Sequence, residues 1–155
     1  MTLYKLIELK SLTFGKYFNH PLCKSLNYLT QLNSLTFGSS FNQPLGKSLY
    51  KLKKLISLTF GKNFNQLLFY KPFGECLNKL IELKSLTFGY VFNQLLGNSL
   101  DNLIELESLT FDYAFNQPLD NSLGCLTNLK SLTLSCNFYN KLDESFKKIT
   151  SVIFI

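Results

Sequence analysis

Leucine and phenylalanine return along this chain on a fixed beat. Counted from its first leucine, each unit places apolar residues at positions 1, 4, 6, 10, 14, 18 and 21, as in Leu32, Leu35, Phe37, Phe41, Leu45, Leu49 and Leu52. Two periods are mixed in that set. Leu35 and Phe37 flank Thr36, the alternation of a strand with one buried face. Leu45, Leu49, Leu52 and Leu55 follow at steps of four, three and three, the stripe of a short helical or 3₁₀ segment. Each unit therefore predicts a strand, a turn and a return segment on the far side.

The strand phrase recurs as Ser11-Leu12-Thr13-Phe14, Ser34 to Phe37, Ser57 to Phe60, Ser85 to Phe88, Ser108 to Phe111 and Ser131-Leu132-Thr133-Leu134. Leu9, Leu32 and Leu55 lie 23 residues apart, Leu55 and Leu83 are 28 apart, and Leu83, Leu106 and Leu129 resume the 23-residue period. A fixed period of this size predicts a solenoid, because one unit cannot bury its apolar face without a stacked neighbour. Residues 1–155 read as a single solenoid domain of about six repeats, with one parallel strand per repeat and helical, 3₁₀ or extended return segments on the convex side. The third repeat carries a five-residue insertion near residues 69–76. The chain opens in mid-repeat at Leu3 and Leu6. At its end, Ser151-Val152-Ile153-Phe154 mimics the strand phrase and favours Ile149 over Val152 as the start of a further rung. An apolar rung there, with no polar cap visible, predicts self-association through uncapped ends.

L-x-S-L-T-F resembles the L-x-x-L-x-L core of leucine-rich repeats. Phe41-Asn42-Gln43-Pro44 and Phe115-Asn116-Gln117-Pro118, with the variant Phe18-Asn19-His20-Pro21, are more specific and resemble FNIP repeats. That family is leucine-rich-repeat-like and is found in amoebae and in large DNA viruses that infect them. This chain departs from its pattern: Gln or His stands for Ile, Leu67 and Leu95 stand for Pro, and the last copy decays to Phe138-Tyr139-Asn140. The resemblance implies a non-enzymatic protein-interaction module. Members often carry an F-box, for which nothing before Leu3 leaves room.

Physical chemistry gives most columns a structural reason. Phe14, Phe37, Phe60, Phe88 and Phe111 form one predicted stack, and Phe18, Phe41, Phe64, Phe92, Phe115 and Phe138 a second. Asn19, Asn42, Asn65, Asn93 and Asn116 stand where the chain leaves the sheet, placed to satisfy backbone groups of adjacent rungs. The Ser and Thr of each strand read as a hydroxyl ladder steadying its neighbours. A remote alternative is ice or carbohydrate binding by that ladder, which a flat sheet would favour and a curved one oppose.

Composition narrows the chemistry. With 46% hydrophobic residues in 155 the chain can bury a sizeable core, and no run approaches the roughly 20 apolar residues of a bilayer span. With no membrane segment and no leader before Lys10, the expected location is cytoplasmic, the host cytoplasm for a viral protein. Cys23, Cys76, Cys125 and Cys136 fall in unrelated positions, and His20 stands where other repeats carry Gln, so neither metal, cofactor nor catalytic residues are expected.

Variation gathers in the loops leaving the strands, where Tyr17, Tyr90 and Tyr113 predict an aromatic rim suited to a protein partner. Phe69, Tyr70 and Phe73 of the insertion add candidate contacts. The net charge of +6 is all lysine against acid, +9 through Leu80 and −3 after it. Lys47, Lys51, Lys53 and Lys54 form the densest basic patch, an alternative site for nucleic acid or another polyanion. The absence of arginine and the acidic second part make nucleic acid the weaker reading.

Overall fold

A computed structural model of the chain describes residues 3–66, 77–119, 122–139 and 149–155. Seven strands, β1 (Ser11–Thr13), β2 (Ser34–Thr36), β3 (Ser57–Thr59), β4 (Ser85–Phe88), β5 (Ser108–Phe111), β6 (Ser131–Leu134) and β7 (Ser151–Phe154), form one sheet in sequence order. Every neighbouring pair is parallel and in one register: Ser11 faces Ser34, Ser34 faces Ser57, and so on to Ser131 against Ser151. The last pairing places Ile149, which packs against the core, at the start of a rung. The central leucine of each phrase from Leu35 to Leu132 is fully buried, as the alternation requires.

Of the helical, 3₁₀ and extended alternatives for the return segments, those described follow i to i+3 bonding. Among the described residues one 3₁₀ helix covers Ser25–Tyr28, and the segments leading into β3 and β5 make separate tight turns. Leu52 N–H donates to the Leu49 carbonyl at 3.0 Å and Leu55 N–H to Leu52 at 3.1 Å; Leu103 on Leu100 and Leu106 on Leu103 repeat the bond at 2.9 Å. Each leucine thus closes a turn on the leucine three residues earlier, which keeps all of them inward without the i to i+4 bonds of an α-helix.

Both phenylalanine columns form as the sequence predicts. Within a rung the two rings stack at 3.9–4.2 Å, as for Phe111–Phe115 and Phe37–Phe41. Between rungs the first column repeats at 5.3–5.5 Å and the second at 6.0–6.4 Å. The asparagine column does what a carboxamide at that turn can do. Asn19 Oδ1 accepts the backbone N–H of Asn42 at 2.9 Å, Asn42 that of Asn65 at 3.0 Å, Asn65 that of Asn93 at 3.0 Å, and Asn93 that of Asn116 at 2.9 Å. The same oxygens accept Nε2 of Gln43, Gln66, Gln94 and Gln117, so each glutamine ties its rung to the one before. His20, at the head of that column, lies edge-on to Phe18 with the ring centroids 5.8 Å apart.

Two sets of glycines have different causes. A Cβ on Gly38, Gly61 or Gly89 would overlap the carbonyl of the glycine one rung before, so these residues permit close backbone approach. Gly46 and Gly97 instead hold φ of +50° and +49°, with open space around a Cβ at Gly46, and Cys23 adopts the same conformation at +48° in its own repeat.

Candidate interaction surface

Parallel stacking turns every sequence position into a strip across the sheet, so three strips face outward together: the residues entering the strands, the strand hydroxyls, and the residues leaving them. The middle strip carries Ser34, Thr36, Ser57, Thr59 and their equivalents, all half-buried on rungs two to six. Among the described residues no hydrogen bond joins these hydroxyls to one another, so the ladder does not steady the strands in the way the sequence suggested. Its donors and acceptors face outward.

The exit strip holds the tyrosines, but in two columns. Tyr90 and Tyr113 stand two residues after the phenylalanines of β4 and β5, and their rings stack at 4.7 Å with 6° between planes. Lys62, at the same position one rung earlier, sets its Nζ 4.9 Å from the centre of the Tyr90 ring. Asp112 fixes the turn by accepting the Tyr113 N–H at 2.7 Å. The result is a Lys62–Tyr90–Tyr113 stack over three consecutive rungs, with Tyr90 38% and Tyr113 49% exposed. Tyr17 falls one position later on the first rung, 81% exposed, with Lys16 Nζ 5.3 Å from its ring. The single rim of three tyrosines is therefore corrected to a stacked pair and a separate residue, since an offset of one position moves a side chain to another column. Phe69, Tyr70 and Phe73 lie outside the described residues.

The basic patch also separates. Lys47 Nζ sits 5.8 Å from the centre of the Tyr50 ring, while Lys54 Nζ is bonded to Gln31 Oε1 at 2.8 Å; Lys51 and Lys53 are exposed. These four lysines follow different turns of the return segment and do not converge on one point.

The entry strip contains the ion pairs. Glu107, immediately before β5, accepts Lys130 Nζ at 2.6 Å and Lys84 Nζ at 3.0 Å, the lysines immediately before β6 and β4. The hydrogen bond from Lys130, then that from Lys84, hold its carboxyl down to about 2, and the bond to Glu107 raises Lys84. A folded value below the ordinary 4.5 means that the stabilisation is present above that pH and is lost as pH falls towards 2. Glu107→Gln should accordingly lower the thermal midpoint at neutral pH, and the difference from the parent should fade on acidification and in about 1 M salt, where the screening length is only about 3 Å. A difference unchanged by pH and salt would contradict the assignment.

Sequence reading missed two further features. Ser48, Ser99 and Ser122 are buried on the return side, where Ser48 Oγ donates to the Cys23 carbonyl at 2.7 Å; their signal was a serine recurring before a leucine in four repeats. The second is Gln31, whose Oε1 accepts both Lys54 and Lys10 and which carries no repeated signal in its column. Among the described residues no three His, Cys, Asp or Glu gather at metal-binding distance, and no helix is long and apolar enough to cross a membrane. Cys23, Cys125 and Cys136 are free and exposed.

No family model matches the chain, and the search of curated proteins finds no match. Solved structures do resemble it. CroV588, described as a novel circular LRR protein, is 27% identical with a TM-score of 0.67, over 94% of this chain and 24% of that one. The internalins InlF and InlC2 of Listeria monocytogenes, at 22% and 16% identity, give TM-scores of 0.61 and 0.58 over 99% of this chain and 50% and 74% of theirs. The chain thus spans about a quarter of the length of the circular protein and half that of InlF. The fold is a leucine-rich-repeat-like parallel β-solenoid.

Proposed function

We propose that the chain is a non-enzymatic protein-interaction scaffold whose partner engages the exit rim at Lys62, Tyr90 and Tyr113. The observation that carries this reading is the stacked, half-exposed tyrosine pair. Its rings already stack on one another, which limits the side-chain freedom left to lose on binding, and tyrosine supplies apolar area with a polar tip. The hydroxyl strip beside the rim offers outward donors and acceptors. The likeness to leucine-rich-repeat solenoids and the FNIP-like Phe-Asn-Gln-Pro turns support the same class of function.

Affinity capture of the tagged protein from host-cell lysate, with and without nuclease, tests the proposal. The expected result is a discrete protein partner that survives nuclease and whose affinity falls on the order of tenfold or more in Tyr90→Ala/Tyr113→Ala. That double variant should keep the parent's circular dichroism, since both residues lie outside the core. Capture that vanishes with nuclease, and with neutralisation of Lys51, Lys53 and Lys54, would replace this reading with polyanion binding.

A further inference from the structure

Lys10 and Lys54 bring two ammonium groups to one neutral oxygen. Gln31 Oε1 accepts Lys54 Nζ at 2.8 Å and Lys10 Nζ at 3.4 Å, so cations from the first and third rungs meet over the second. Further along the entry strip, in the column of Lys10 and two positions after that of Gln31 and Lys54, Lys84 and Lys130, also two rungs apart, meet on Glu107 at 3.0 and 2.6 Å. There a carboxylate sits between the lysines; here an amide does. Each ammonium has three donors and the amide oxygen only a partial charge, so the first cluster keeps donors and positive charge in excess.

Other charges on the strip define what fits. Glu8 and Glu82 precede β1 and β4 by three residues, as Gln31 precedes β2 and Lys54 precedes β3, and Lys53 adjoins Lys54. Among the described residues neither glutamate is ion-paired with Lys10 or Lys54. Acids on the neighbouring rungs at both ends disfavour a run of phosphates laid along the strip, whereas a single carboxylate entering from outside meets the lysines first.

We propose that Lys10, Gln31 and Lys54 form a docking point for a carboxylate side chain of a protein partner. That group sits over Gln31 between the two ammonium groups and supplies the charge that Glu107 supplies to Lys84 and Lys130. This site lies on the entry side of the sheet, across the hydroxyl strip from the tyrosine rim, and does not depend on it. An exposed ion pair is weak, so the cluster decides where an acidic residue lands and adds a few-fold to affinity.

The test is an NMR titration of the whole chain with acetyl-Gly-Ser-Glu-Ser-Gly-amide, against the same peptide carrying Gln. The glutamate peptide should shift the Gln31 side-chain amide and the Lys10 and Lys54 methylenes; the glutamine peptide should not. Gln31→Glu fills the place internally and should weaken the apparent Kd about fivefold. Glu107→Gln should create a second responsive site at Lys84 and Lys130. Asn63→Glu makes the same charge change on the exit side and should have no more than a twofold effect. Equal shifts at all lysines, or equal losses in Gln31→Glu and Asn63→Glu, would reduce the effect to net charge and overturn the proposal. Stronger shifts of the same signals by hexathymidylate would overturn it in favour of a phosphate ligand.

Discussion

Gly61→Ala is expected to destabilise the protein by about 3 kcal/mol or more, at the upper end of overpacking costs, because the methyl group meets backbone instead of a movable side chain. The added carbon would overlap the Gly38 carbonyl and stand 2.8 Å from the carbonyl oxygen of Phe37, so relief requires two rungs to separate. Separation in turn weakens the inter-rung bond from Asn63 N–H to the Ser39 carbonyl, now 2.9 Å, in the turn that follows. Gly46→Ala is the internal comparison. Its Cβ meets nothing within 4 Å, so the cost is that of a non-glycine residue at φ +50°, about 1 kcal/mol. Thermal midpoints should fall by roughly 10 °C and 3 °C respectively. Equal losses would mean that close approach is not what the rung glycines provide. The overlap also marks a boundary: beyond Gly89 the position is taken by Asp112 and Ser135, and from β4 to β6 the strand runs one residue longer.

Phe88→Ala is expected to cost about 3–5 kcal/mol, the range for a fully buried aromatic. Phe88 is 0% exposed and touches rings on every side, Phe92 at 4.0 Å, Phe111 at 5.4 Å and Phe60 at 5.5 Å. Removing it opens a void in the first aromatic column, beside Phe92 of the second, where neighbours from three rungs would have to collapse inward. Phe88→Leu should cost less than half as much, since Leu134 already holds this position on the sixth rung and is fully buried there. Urea denaturation of both variants measures the difference. A cost for Phe88→Ala near 1 kcal/mol would show that the columns are filled space without mutual support.

The parts of the fold legible in the sequence are those where one residue type has one reason. Ser-Leu-Thr-Phe alternates with period two and folds as strand; Phe14 to Phe111 and Asn19 to Asn116 repeat at one position and stack or bond rung to rung. The return segments were less legible, because leucines three apart suit a helix and a chain of tight turns equally well. What separates the two is whether Leu49, Leu52 and Leu55 bond to the third or the fourth residue before them, which spacing does not encode. Cys23 hid a left-handed position that Gly46 and Gly97 announce. The surface was least legible. Tyr17 and Tyr90 differ by one place in the repeat, which in a stacked solenoid separates columns, and the pairing of Gln31 with lysines from both neighbouring rungs depends on side-chain reach across the stack.

Both aromatic columns, the asparagine column and the surface strips require rungs stacked in one parallel register. Pulsed electron resonance on a Thr36→Cys/Thr133→Cys variant carrying spin labels, with Cys23, Cys76, Cys125 and Cys136 replaced by serine so that only the two new thiols are labelled, measures that register directly, since both threonines are on the outward face and four rungs apart. At about 4.8 Å per rung, the account predicts a narrow distribution around a backbone separation of about 19 Å, widened only by the labels. A broad distribution, or one centred beyond roughly twice that distance, would contradict it.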